Sequence, residues 1–520
     1  MAAAGLSDMT LSEHILDTLR HPSFCLDQLR RGIEKESLRV THDGRLALTP
    51  HPKSLGSALT HPNITTDFSE AQLELITGIH STPHACLDQL FRIHQFVQTH
   101  LGEELLWPSS MPCRLEPAQE AIPLGRYGTS NIAQAKTVYR RGLGNRYGRV
   151  MQTISGIHYN FSLPEQAWQA LGKQSKEQRT DAYFDLIRNF RRWSWLLIYL
   201  LGSSPVVSRS FIRSEDHQLA YLGEGTYGLP DATSLRMGRL GYQSDAQAGL
   251  DVSYNSLEEY SLSIRKGLTQ RYPDYQRFEP NARGELPQLN DAVLQIENEF
   301  YGAIRPKRTI KSGQRPLTAL AADGVEYVEV RCLDLDPFEP LGIGLAQIRF
   351  LDTFLLLCAL SESPVETKTD RDQMSRNQTL IVEQGRNASL MLERQAIRSS
   401  VKTWGLEILN ACEPIAQALD RAHGGQDYVQ SLSQQIEKIK VSGLTPSARI
   451  LDSVAASGSF AEFSLQRAKA LHQSLLEQPL PADMLQALNA EAAASLATQK
   501  HLEQEQQDPF PVFLTRYLDL

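Results

Sequence analysis

Glu34 and Glu36 stand two residues apart in the strand-like segment Arg31-Gly32-Ile33-Glu34-Lys35-Glu36-Ser37-Leu38-Arg39-Val40. Side chains alternate across a strand, so the two carboxylates share one face. Like charges that close repel, and they resist burial unless a cation lies between them. The pattern recurs in three further segments. Residues 63–77 supply Asp67 and then Glu74 inside a second strand-like stretch. Residues 294–301 align Glu297, Glu299 and Tyr301 against Ile296, Asn298 and Phe300. Residues 324–333 alternate strictly, with Tyr327, Glu329 and Arg331 on one face and Val328 and Val330 on the other. One such strand is ordinary. Four of them, each also carrying apolar residues, point to a polynuclear site of hard oxygen ligands suited to Mg²⁺ or Mn²⁺, with substrate phosphates as its companions.

The chain around these segments has 520 residues and 41% hydrophobic content, enough for several domains or one large one with a helical appendage. A net charge of −8 argues against nucleic acid as a partner. The six cysteines are scattered without a CxxC pair, and residues 1–8 carry no basic-then-apolar leader, which together suggest a soluble cytoplasmic protein. The most apolar run, residues 193–201, is too short to span a bilayer and reads as a buried helix. No partner in a membrane is expected.

Periodicity predicts helices over about 8–30, 82–102, 178–202, 256–268 and 342–361, and strands over 32–40, 45–48, 72–77 and 153–162. The stretch between about 108 and 160 reads as loop-rich up to that last strand. Beyond about residue 390 helical periodicity dominates, through 391–421, 427–438, 459–477 and 482–505. The expectation is an α+β chain: residues 1–390 as a strand-rich catalytic body, and residues 391–520 as a helical region packed on it rather than folding alone.

Other motifs fall away. Gly223-Glu224-Gly225-Thr226-Tyr227-Gly228 spells the dinucleotide fingerprint, but Leu229-Pro230-Asp231 follows where a helix is needed, so it reads as a loop. There is no P-loop, HExxH, GxSxG or kinase signature. Arg236 suits either a carboxylate clamp or a surface ion pair. Tyr139, Tyr242 and Tyr301 suit either a small-substrate pocket or structural burial. Arg305, Lys307 and Arg308 suit either phosphate contacts or a solvated loop.

Long peptides then decide. RGIEKESLRV, SLGSALTHPNITTDFSEAQLELIT, WPSSMPC, YGTSN, YRRGLGNRYGRVMQTISGIHYNFSLP, ATSLRMGRLGY, LQIENEFYGAIRPKR and GVEYVEVRCLDLDPF occur in order over most of residues 30–360. In this the chain resembles the glutamate–cysteine ligase family of the proteobacterial type. The resemblance implies a glutamine-synthetase-like curved antiparallel sheet forming an ATP and metal funnel, with flanking helices. It implies ligation of the γ-carboxylate of L-glutamate to L-cysteine through γ-glutamyl phosphate at the expense of ATP, the first step of glutathione biosynthesis. By the same resemblance Glu34, Glu36, Asp67, Glu74, His158 and Glu329 would bind two or three Mg²⁺ ions. Glu329 and Arg331 would be catalytic, and Arg236 would clamp the glutamate α-carboxylate. Phe68, Tyr139, Gln152, Tyr242 and Tyr301 would wall the cysteine pocket, and Arg305 and Arg308 would meet the ATP phosphates. A monomer is expected. The rivals are a related ligase with another acceptor amine and a non-catalytic nucleotide-binding regulator on the same fold.

Overall fold

The computed structural model describes residues 9, 11–214, 217–241, 245–280, 284–311, 314–395 and 397–519. Seven strands form its main sheet: β1 (Arg30–Val40), β2 (Ile64–Thr66), β3 (Gln72–Ile76), β4 (Leu105–Leu106), β5 (Ile157–Ser162), β6 (Ile304–Lys307) and β7 (Tyr327–Leu333). Their order is β2-β3-β1-β5-β7-β6, with β4 pairing the far end of β1, and every pairing is antiparallel. The class is α+β, as the sequence implies.

Alternation explains how this sheet is held. On its back face Ile33, Leu73, Leu75, Ile157, Tyr159, Phe161, Val328 and Val330 are buried. They belong to the same core as the helices Pro83–His100, Lys176–Leu201 and Leu345–Leu360. The run at 193–201 is indeed the buried end of the second of these helices. Among these apolar residues sits one ion pair. Arg31 on β1 meets Asp352 with Nε to Oδ1 at 3.2 Å and Nη2 to Oδ2 at 3.0 Å, and the Tyr159 hydroxyl donates to Oδ1 at 2.7 Å. Sheet and helix are thereby fixed by charge and by apolar contact together.

Several elements differ from expectation. The first helix stops at Arg20, because Pro22 opens a short 3₁₀ turn instead. Residues 45–48 make isolated bridges rather than a strand. Met391–Arg394 and Ile397–Ser400 pair antiparallel before the helix Val401–His423 begins. The Gly-rich stretch, expected as a loop, closes a hairpin: Gly223 ends the strand Ala220–Gly223, Glu224 and Gly225 make the turn, and Thr226–Gly228 is the returning strand. Residues 294–301 are not a strand: Glu297–Glu299 make a 3₁₀ turn, since both acids are buried and each is seized by an arginine. The loop-rich stretch contains the helix Asn131–Tyr147, masked in the sequence by Gly142 and Gly144. A β-carbon at Gly142 would stand 2.1 Å from the Gln295 side chain, so close packing, and not flexibility, explains that glycine.

Residues 482–518 run back over the body. Ser495 accepts from the Ser57 amide at 2.9 Å and from the Thr60 hydroxyl at 2.6 Å, Glu503 accepts from the Thr129 amide at 2.9 Å, and the helix Phe510–Leu518 lies against Asn131–Tyr147. Among the described residues no helix is long and apolar enough to cross a membrane.

His61 ties the approach to β2. Its Nδ1 accepts from the amides of Asn63 and Ile64, both at 3.0 Å, and burial pushes its pKa down to about 4. The folded value lies below the unfolded one near 6.5, so this stabilisation is intact above about pH 6.5 and is lost as the pH falls toward about 4. Urea midpoints should fall across that window, and His61→Gln, whose amide oxygen can still accept, should show a smaller fall. An identical fall in both proteins would refute the role given to His61.

Candidate functional site

The strand register brings the acids together. Glu36 on β1 faces Glu74 on β3, Glu34 faces His158 on β5, and Asn160 on β5 faces Glu329 on β7. With Asp67 from the turn after β2, Glu34, Glu36, Glu74, His158 and Glu329 line one cavity of about 400 Å³ on the front of the sheet, and Asn160 lines its neighbour. Ligand atoms of Glu34, Glu74 and His158 lie within 4.8 Å of one another. The pair that opens the sequence argument therefore does share a face, and that face is the floor of a cavity.

The floor is electrically lopsided. At the β7 end Lys307 Nζ lies 3.2 Å from Glu329 Oε1, Arg331 Nη1 donates to Oε2 at 3.1 Å, and Arg305 Nη1 is 3.9 Å away. Burial opposes ionisation of Glu329, but Lys307 and Arg331, with Arg305, outweigh it and hold the carboxyl well below its usual range. At the β3 end the balance reverses. Burial, then the charges of Glu34, Asp67 and Glu36, push Glu74 well above the usual range. Burial and Asp67 push Glu36 up to about 8 despite Arg236, Arg331 and the Gly156 amide, which donates to it at 2.8 Å.

The donor set fits a hard divalent cation. Burial and Arg331 lower the His158 pKa, which favours the neutral imidazole. With Nδ1–H donating to Glu34 at 3.1 Å, the lone pair rests on Nε2. That atom is buried, has no hydrogen-bond partner, and lies 3.6 Å from Glu36 Oε1. A lone pair facing a carboxylate oxygen, among acids that repel one another, is an arrangement that Mg²⁺ or Mn²⁺ relieves.

The remaining expected residues fall into three groups. Phe68, Tyr139, Gln152 and Tyr301 line the same cavity, with Gln152 Nε2 donating to the Tyr301 hydroxyl at 3.0 Å. Arg305 also lines it, donating to the carbonyls of Asn298 and Phe300. Arg236 and Arg308 are not on its wall. Arg236 is fully buried behind it, its Nη2 donating to the Arg331 carbonyl at 3.0 Å and its Nη1 3.7 Å from Asp334. Arg308 lies in a neighbouring cavity of about 650 Å³, which meets the first at Glu34. Tyr242 lies outside the described residues. Glu297 and Glu299 turn away from the cluster to Arg315 and Arg146.

Two residues went unnoticed in the sequence. Asn160 donates to Glu34 Oε1 at 2.8 Å and is two residues from His158 on the same strand, so the i, i+2 rule applied to β5 would have found it. Gly156 is the other. A β-carbon there would stand 2.1 Å from Arg236 Nη2, so the glycine makes room for the guanidinium, which no local pattern announces.

The sequence profile described as Glutamate-cysteine ligase matches residues 16–381. A glutamate–cysteine ligase of Pseudomonas entomophila (strain L48) is 50% identical over 499 residues, 95% of this chain and 94% of that protein. Among solved structures, the glutamate–cysteine ligase of Francisella tularensis in complex with AMP superposes with a TM-score of 0.90 at 36% identity, covering 94% of this chain and 97% of that one. A bifunctional glutathione synthetase from Pasteurella multocida superposes with a TM-score of 0.73 at 25% identity, over 94% of this chain and 58% of that one. Profile, near-full-length identity and fold agree: this chain belongs to the glutamate–cysteine ligase family.

Proposed function

We propose that the carboxylate-floored cavity is the catalytic site of an ATP-dependent glutamate–cysteine ligase. In the reaction the γ-carboxylate of L-glutamate takes the terminal phosphoryl group of ATP, releasing ADP. The amine of L-cysteine then attacks the acyl carbon, and phosphate leaves as the amide bond of γ-glutamylcysteine forms and the amine loses a proton. The observation that carries this reading is the lopsided floor. An uncompensated acid cluster for cations lies beside a cationic cluster for phosphoryl oxygens, as phosphoryl transfer requires. A binding protein without chemistry has no need for both.

Glu34, Glu36, Asp67, Glu74, His158 and Glu329 are proposed to hold Mg²⁺, with Asn160 fixing the orientation of Glu34. Bound there, the metal would neutralise polyphosphate charge and polarise the phosphoryl oxygens. Arg331, Arg305 and Lys307 then face the transferring group from the β7 side. The nucleoside end of ATP is assigned to the 650 Å³ cavity, where Trp168 and Tyr183 pack edge to face at 4.8 Å and Arg308 lies at hand. The AMP complex of the Francisella relative supports a nucleotide site in this fold. Gln152, Tyr139, Phe68 and Tyr301 are proposed to receive the acceptor amine. The clamp role of Arg236 requires its guanidinium to exchange Asp334 for the substrate carboxylate. Residues 391–519 are proposed to act as one body with the rest, in a monomer of the reducing cytoplasm, where six free thiols persist.

Phosphate release from ATP should need both amino acids, and release that occurs without them, or never, would refute the assignment. Glu329→Gln should lower kcat by about a hundredfold or more while the fold is kept; near-normal turnover would remove Glu329 from the metal set. Arg236→Ala should raise the KM for glutamate by about tenfold or more and leave that for ATP nearly unchanged, as loss of a charge-assisted hydrogen bond predicts. Equal rises in both would count against the clamp. Treatment with EDTA should abolish turnover and added Mg²⁺ should restore it; full activity in the chelator would exclude a metal requirement.

A further inference from the structure

Part of the wall of the catalytic cavity lies outside the quoted peptides. Arg315 and Tyr517 both line it, beside Tyr139 and Tyr301. Arg315 clasps the Glu297 carboxylate with Nε at 2.9 and 3.2 Å from its two oxygens and Nη2 at 2.6 Å. The Leu317 amide adds a longer bond at 3.4 Å. The other face of the same guanidinium donates from Nη1 to the Tyr517 carbonyl at 2.9 Å. That carbonyl lies in the last turn of the helix Phe510–Leu518, where unsatisfied carbonyls carry the negative end of the helix dipole and favour a cation.

Glu297 opens the turn that leads to Tyr301. The other acid of the turn is secured independently, with Glu299 accepting from Arg146 at 2.9 Å, the Tyr147 hydroxyl at 2.7 Å and the Gln295 amide at 2.7 Å. The segment is thus held at two points, and one of them depends on the helix Phe510–Leu518. That helix has nine residues, too few to be stable alone. Its single buried residue, Leu514, packs with Ala135, Val138 and Leu289, and just before it Asp508 accepts from Asn131 Nδ2 at 2.8 Å.

We propose that residues 507–518 are a positioning strap for the acceptor-amine end of the cavity: through Arg315 they fix Glu297, and with it the turn that presents Tyr301. The proposal rests on the assignment of Gln152, Tyr139 and Tyr301 to the acceptor pocket. Arg315 acts through Glu297, and Leu514, whose apolar cluster also takes in Tyr139, seats the helix that holds Arg315.

The full-length enzyme carrying Leu514→Asp, with Leu514→Met as the conservative control, tests this. Undocking the strap should raise the KM for cysteine by about fivefold or more, leave the KM values for ATP and glutamate within about twofold, and speed amide hydrogen exchange over residues 295–301. Leu514→Met should behave as the parent in all four readouts. Asn131→Ala, which removes the Asp508 contact without placing a charge in an apolar patch, should shift the same readouts in the same direction. Unchanged exchange over 295–301, or a parallel rise of all three KM values, would overturn the strap. Faster exchange with an unmoved cysteine KM would overturn its role toward the acceptor. Tyr301→Ala separates the two ideas: if it leaves the cysteine KM unmoved the pocket assignment fails, whereas if it moves that KM and Leu514→Asp does not, only the strap fails.

Discussion

Mutual repulsion of buried carboxylates is the constraint on which the rest of this molecule turns. Bringing Glu34, Glu36, Glu74 and Glu329 over one sheet face opposes both folding and ionisation, because charge in a low-dielectric setting is poorly screened. The molecule meets the difficulty unevenly. Glu329 is surrounded by Lys307, Arg305 and Arg331 and stays ionised. Glu36 and Glu74 are left with protons held far above the ordinary carboxyl range. The uneven treatment divides the cavity into a side that attracts cations and a side that attracts anions, and a phosphoryl group in transit needs both.

Holding such a face in place takes rigidity from behind. The back of the sheet supplies it through a packed apolar layer and the buried Arg31–Asp352 pair, with Tyr159 satisfying a further lone pair. Breaking a buried pair of this kind leaves an uncompensated charge, at a cost of about 3–5 kcal/mol. The pair adjoins the site at one remove: Arg31 is three residues from Glu34 on the same strand, and Tyr159 neighbours His158. Stability at the back and geometry at the front are therefore set by the same two strands.

Much of this could be read from the chain. The alternation in residues 31–40 and 324–333 is strict enough that each strand assigns its own faces, and the acid face followed from it. The same logic failed at residues 294–301, where alternation is equally clean but Arg146 and Arg315, distant in sequence, draw the acids inward and curl the backbone into a turn. Arg236 was legible as a cation for a carboxylate, yet its depth behind Gly156 and its nearness to Asp334 are tertiary facts. The helix Asn131–Tyr147 was hidden by Gly142, which makes room for Gln295, and by Gly144, which lies against Arg149 and Phe68, and Tyr517 by its separation from every other residue of the cavity. Local pattern reveals faces and charges; who presses on whom across the molecule it does not.

The residue between the two opening acids carries a last consequence. Lys35 lies on the back of β1, buried, with Nζ against His94, while its neighbours point into the cavity. Shifting β1 by one position would exchange every front residue for a back one: an ammonium would enter the nest of carboxylates and two acids would be driven into the hydrocarbon layer. Both errors are costly, and they occur together. A single-residue insertion or deletion within residues 31–38 thus reverses both faces of the strand at once, which a substitution at one position does not.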